Sequence, residues 1–260
     1  MSQRLEQQFQ ELERVALALQ KTAGAISTAG KALLKAAKDG DSGAVERALD
    51  RVRANVTAAV AESQQGSEAM QLRGERLESY LATEYRTELM EYAKQHGIAM
   101  REVLGLLSAY PTTIRVAPKD HALVVDGKRS LVLRPSAVVS LVKKNRDRSA
   151  ATPGEKFIET LYSAYQLICG PEGLGQPQAL ARLYEVLTLL PGVSGQYTEA
   201  AFVRDVSTLN FEGPHHTRSG ARLSLPASTA TKTQRGVFTA VGPDGEVAQY
   251  VGVQFTEANK

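Results

Sequence analysis

Residues 108–125 read Ser-Ala-Tyr-Pro-Thr-Thr-Ile-Arg-Val-Ala-Pro-Lys-Asp-His-Ala-Leu-Val-Val, and the chain changes character inside this stretch. Pro111 ends helical patterning, because it restricts the preceding residue and lacks an N–H. Thr113–Val116 and Ala122–Val125 then bring the β-branched enrichment of strands. Asp126-Gly127 follows, a strong two-residue hairpin signal, with Ser130–Leu133 as the expected returning strand. Pro135 sits where helices open, and a helix is predicted over Ala137–Asn145. The residues on either side of Pro111 therefore set the class: α+β, with helix dominating upstream.

Upstream, Leu5, Phe9, Leu12, Val15, Leu19, Ile26, Leu33 and Leu34 recur at steps of three, four and seven. That is an amphipathic stripe, predicting a helix over 3–38. Lys38–Gly43 reads as a turn, with Gly40 as the stop and Asp41 or Ser42 as the next cap. A second helix is predicted over 44–63, with Val45, Leu49, Val52, Val56 and Val60 on one face. Ala residues on both segments let the helices approach, so 1–63 reads as an antiparallel hairpin. Gln64-Gln65-Gly66 predicts a break and 67–95 a third helix, ending at His96-Gly97. A short helix is expected over 100–108. Residues 1–110 thus read as a helical, coiled-coil-like domain.

Downstream, 111–150 reads as a basic β-hairpin plus helix, and Ser149–Gly154 as a linker. Residues 151–260 predict helices at 155–168, 178–190 and 198–209, then strands at 221–225, 236–241 and 247–255. Pro243-Asp244-Gly245 is the turn between the last two. Three helices followed by a β-hairpin is the order of a winged helix. The fold class expected is α+β, mainly helical: a helical hairpin or bundle, then a mixed part that is winged-helix-like at its end.

Composition excludes several classes. Of 260 residues, 43% are hydrophobic and 23% charged, the balance of a globular chain. No apolar run approaches the ~20 residues that cross a bilayer, and the first residues lack the apolar core of a secretory signal. Cys169 is the only cysteine, so no disulfide framework or cysteine metal cluster forms within the chain. A cytoplasmic location is expected. There is no Gly-x-x-x-x-Gly-Lys-Ser/Thr, no Gly-x-Gly-x-x-Gly after a strand and no Gly-x-Ser-x-Gly elbow. The four histidines lack ligand spacing, and neither a metal nor a cofactor is expected.

Charge is concentrated rather than large. The net charge is +3, yet 111–156 carries ten bases against four acids. Arg115, Lys128, Arg129, Arg134, Lys143, Lys144, Arg146 and Arg148 are candidates for contact with a nucleic-acid backbone, joined by Lys119. Asn145 and Arg146 have the chemistry to read base edges from a helix. Arg218, Arg222, Lys232 and Arg235 are candidates on a wing-like segment without acids. The helix over 198–209 offers Arg204 against Glu199 and Asp205, a poor balance for groove reading, so protein contact is expected from it.

No catalytic residue is assigned. The expected role is non-enzymatic: an adaptor or accessory subunit that joins a protein partner, or itself, through helices and touches nucleic acid through 115–148. One alternative is a scaffold module without nucleic-acid affinity. A second is a hydrolase built on His215, His216 and Arg218, since imidazole titrates near neutrality.

Overall fold

Leu5–Asp39 form α1, a helix about 50 Å long at 1.5 Å per residue. Gly40 ends it at φ 70°, and the Asp41 N–H returns to the Ala36 carbonyl. The Asp41 carboxylate then accepts the Ala44 N–H at 2.9 Å, capping α2 (Ser42–Ala69). Two residues, Gly40 and Asp41, thus close the first helix and open the second. The computed structural model describes residues 4–151, 154–170, 173–189, 197–226 and 237–257.

α1 and α2 form the expected antiparallel hairpin, with Val15, Ala29, Ala36, Ala48 and Ala69 buried. Gly66 does not break α2. It is a point of close approach, where a Cβ would stand 3.2 Å from Val15 Cγ1, so the bare backbone lets α1 come near. The break falls later, at Met70–Gly74. There the fully buried Gln8 of α1 accepts the N–H groups of Gln71 and Leu72 at 3.0 and 3.1 Å. Two short helices, α3 (Glu75–Thr83) and α4 (Tyr85–Gln95), replace the single one expected over 67–95.

The chain packs as two units, Met1–Tyr85 and Arg86–Lys260. The second opens with a correction to the expected helix at 100–108, which is a β-hairpin. Strands β1 (Arg101–Val103) and β2 (Leu106–Ala109) pair across Leu104-Gly105, both at positive φ (52° and 76°). A turn with both central residues left-handed matches strand twist. Its apolar run, Val103-Leu-Gly-Leu-Leu107, lacks the polar alternation that would have marked it as strand.

β3 (Thr112–Ala117), β4 (Ala122–Val125) and β5 (Lys128–Ser130) complete an antiparallel meander in the order β1-β2-β3-β4-β5. The Asp126-Gly127 turn pairs Val125 directly with Lys128. β5 therefore starts and ends earlier than expected, leaving Leu131 and Val132 exposed. Helix α5 (Pro135–Ala151) carries the basic run beyond the Asn145 end expected for it. Its buried Val138, Val139 and Val142 mark the packed side. Asn145 donates to Thr112 Oγ1 at 3.3 Å. Thr112 shares a sheet face with Ile114 and Val116, so α5 lies on that face.

The rest of the unit is α6 (Gly154–Cys169), β6 (Gln178–Ala179), α7 (Leu180–Leu187), α8 (Glu199–Glu212), β7 (Arg222–Ser224), a hairpin β8 (Phe238–Val241)–β9 (Val247–Tyr250), and β10 (Gly252–Thr256). β10 is central, antiparallel to both β6 and β7 in the order β6-β10-β7. Its core is aromatic. Phe202 of α8, fully buried, meets Phe157, Tyr184, Tyr197 and Phe238 at centroid distances of 5.4–6.4 Å, within the range where rings attract edge to face. Phe255 is clasped by Tyr162 and Tyr165.

Among the described residues, no helix is long and apolar enough to cross a membrane.

Candidate nucleic-acid interface

The predicted basic residues separate once the sheet is built. In the β3–β4–β5 register Arg115, Val124 and Arg129 form one cross-strand row. This row lies on the face opposite Thr112, Ile114 and Val116, away from α5. Arg115 and Arg129 are exposed there, some two strand spacings or about 10 Å apart. Lys128 falls in the neighbouring row, on the face that α5 covers. Lys119 is exposed in the short turn before β4. Arg134 is half-buried just before α5, its carbonyl accepting the Ala137 and Val138 N–H groups.

Lys143 and Lys144 of α5 are exposed; at about 100° per residue Lys144 falls opposite the buried valines and Lys143 at their flank. Arg146 lies one turn beyond Val142, in line with the packed side but exposed. Arg218 and Arg222 are exposed on and beside β7. The side chain of Arg148, and the whole of Lys232 and Arg235, lie outside the described residues. The bases of 115–148 thus occupy both sides of the sheet rather than a single face.

Asn145 is not available to read a base. Its amide bonds Thr112 Oγ1 and, at 3.4 Å, Asp126 Oδ2. It belongs to a buried polar network at the β4–β5 turn. Asp126 Oδ1 accepts the Thr113 N–H at 2.9 Å, and Oδ2 pairs with Arg204 Nη1 at 3.2 Å. Arg204 also holds Asp205 at 3.1 Å, and Tyr197 donates its hydroxyl to Asp205 at 2.9 Å. Burial raises the Asp126 pKa, outweighing the Thr113 N–H and Arg204, which oppose it. Burial works to lower Arg204, but Asp205 and Asp126 together raise it. Burial, and then the neighbouring Asp205, raise Tyr197.

The same turn seats α8. Thr198 caps α8 through the Ala201 N–H and donates to the Asp126 carbonyl at 3.2 Å. Gly127, at φ 77°, lies so close that a Cβ would stand 3.0 Å from the Ala200 Cβ. Along α8 only Glu199 and Glu212 are exposed. Most of α8 is therefore covered within the chain, and Arg204 is committed to that packing.

A second basic cluster was not foreseen. Arg101 of β1 and Arg146 of α5 line a cavity of about 220 Å³ with Ser108, Tyr110, Val142 and the β8–β9 turn. Arg101 donates to the Asp244 carbonyl and lies against Gly245, whose φ of 84° only glycine adopts freely. Neither arginine pairs with a carboxylate among the described residues. Burial pushes the Tyr110 phenol up to about 12, with the Thr208 hydroxyl opposing and Glu212 adding to the rise. The sequence signal was slight: Arg101 and Gly245 are far apart in the chain, and 100–108 reads as helix.

His215 and His216 are exposed, and their backbone pairs with β7 through Leu223 and Arg222. The Arg218 N–H bonds the Glu159 carboxylate. Among the described residues neither imidazole meets a carboxylate, and no group of three His, Cys, Asp or Glu converges as a metal site. Cys169 is half-buried at the edge of the aromatic core.

The chain matches no protein family, no curated protein and no solved structure.

Proposed function

We propose that the protein is a non-enzymatic adaptor that engages a protein partner through its helical hairpin and touches the phosphate backbone of nucleic acid without reading bases. The observation that carries the nucleic-acid part is the pair Arg101–Arg146, the second on the same helix as the exposed Lys143 and Lys144, with no carboxylate neutralising either arginine among the described residues. Support also comes from the 154–256 topology. Helix, strand, two helices and strand, then the β8–β9 hairpin and a final strand seated between the first two in the order β6-β10-β7, favour a winged-helix-like reading. In this reading its third helix is not a groove reader, since α8 is covered along most of its length and Arg204 is paired. Backbone contact without base contact gives weak sequence preference and strong salt dependence.

On the hairpin, Leu49, Val56 and Val60 stay 38%, 44% and 53% exposed at seven- and four-residue steps. Such a stripe is the kind a partner helix covers.

The test is fluorescence anisotropy of labelled duplex and single-stranded oligonucleotides across salt, with a variant in which Lys143, Lys144, Arg146 and Arg148 become Glu. Binding that weakens steeply with salt, and is lost in the folded variant, is the expected result. No binding at low salt overturns the nucleic-acid part and leaves the second reading, a scaffold module. That reading is favoured by the spread of bases over both sheet faces.

A further inference from the structure

The geometry points to the Arg101–Arg146 cavity as a binding site for a phosphoryl anion, held by two guanidinium groups with Ser108 and Tyr110 beside them. Four observations meet there. First, among the described residues the ionisable ones that line the cavity are Arg101, Arg146 and Tyr110, with no carboxylate. Glu246 and Glu212 stand behind the lining, against Gly242 and near Tyr110, without forming part of it. Second, the phenol keeps its proton through neutrality, so it brings no charge that would repel an anion.

Third, the site is built in advance. Arg101 is laid on the β8–β9 turn by its bond to the Asp244 carbonyl and by the bare Gly245, which has no Cβ to push it away. An arginine already oriented loses less freedom on binding, and its planar fork matches phosphoryl oxygens. The Arg86–Glu102 ion pair at 3.3 Å ties the same strand to α4. Fourth, size sets the class. About 220 Å³ lies below the ~300–1,000 Å³ of sites that enclose whole small molecules. A phosphate group fits this space and a complete nucleotide does not, so any attached moiety must extend through the mouth.

Two sources offer that chemistry: a phosphodiester in a nucleic-acid backbone, or a free phosphate or small phosphate ester. The first rests on the function proposed above; the second does not.

The experiment is a titration of the 260-residue chain with inorganic phosphate at constant ionic strength, read by amide and arginine side-chain NMR shifts. The expected result is saturable shifts centred on Arg101, Arg146, Ser108 and Gly245. Arg101→Gln or Arg146→Gln should weaken phosphate binding at least tenfold, while Lys35→Gln, exposed on α1, leaves it unchanged. Shifts spread evenly over all bases, or none at the cavity, would overturn the site on wild-type protein alone, whatever the variants do. A second arm adds oligonucleotide. Competition between phosphate and oligonucleotide identifies the backbone as the source. Saturable phosphate binding with no oligonucleotide binding keeps the site and removes the nucleic-acid reading.

Discussion

Two arginine clusters in the same unit have opposite fates. Arg204 lies on α8, pressed between Asp126 of the β4–β5 turn and Asp205 of its own helix. Arg101 and Arg146 line a cavity with no carboxylate partner among the described residues. All three are equally cationic in the sequence, but only the latter two have a field to offer a ligand. Desolvation makes a buried charge dependent on its partner, so Arg204 is part of the fold. The exposed pair costs little to keep and is free to bind. Counting bases along a chain measures the first kind together with the second.

The comparison predicts its own failures, beginning with the largest effect. Asp126→Ala removes the acceptor that serves Thr113, Asn145 and Arg204 together and strands their donors. It should destabilise the second unit by about 3 kcal/mol, read by urea denaturation. A loss under about 0.5 kcal/mol, the range of ordinary surface changes, would mean that the network is ornamental.

A pH test sharpens the same point. The Asp126 pKa is raised on folding, so the native state holds this proton more tightly than the unfolded chain does. The stability it contributes is fully present below the ordinary value of 3.8 and is lost as pH rises through the higher native value. Asp126→Asn removes that component. The stability advantage of wild type over the variant should therefore fall as pH rises from 3 towards neutrality, measured by urea titrations at successive pH values.

Asp41→Ala deletes the α2 cap in the other unit and should cost about 1 kcal/mol. Arg101→Gln and Arg146→Gln should each change stability by less than about 0.5 kcal/mol, as exposed residues outside the packed network. A larger loss in either would place that arginine with Arg204 and dissolve the contrast.

How much of this was legible depended on whether a signal was local. Gly40 and Asp41 announce a helix stop and a cap from their own chemistry, and Asp126-Gly127 announces its hairpin the same way. Pro135 marks the start of α5 because its fixed φ suits a first turn. The β1–β2 hairpin was hidden because Leu104, a residue with a Cβ penalty at φ 52°, stands where Asn or Asp would have given the turn away. Gly66 misled for the opposite reason. It looks like a breaker, yet its value is tertiary, the room it gives Val15.

The site was harder still. The basic run at 143–148 was visible, but which of its bases lines the cavity, Arg146, depends on which side of α5 meets the sheet. The capture of Asn145 and Arg204 depends on where the Asp126 turn docks. Arg101 entered no candidate set, since its partner residues come from α5 and from a turn more than a hundred residues away.

The most direct measurement is the dependence of oligonucleotide affinity on salt for wild type and for Arg146→Gln. Each phosphate neutralised adds roughly 0.9 to the slope of log K against log salt on duplex DNA. The account predicts that Arg146→Gln lowers the slope by about one with the folded state intact. An unchanged slope, or no binding by wild type at low salt, would contradict it.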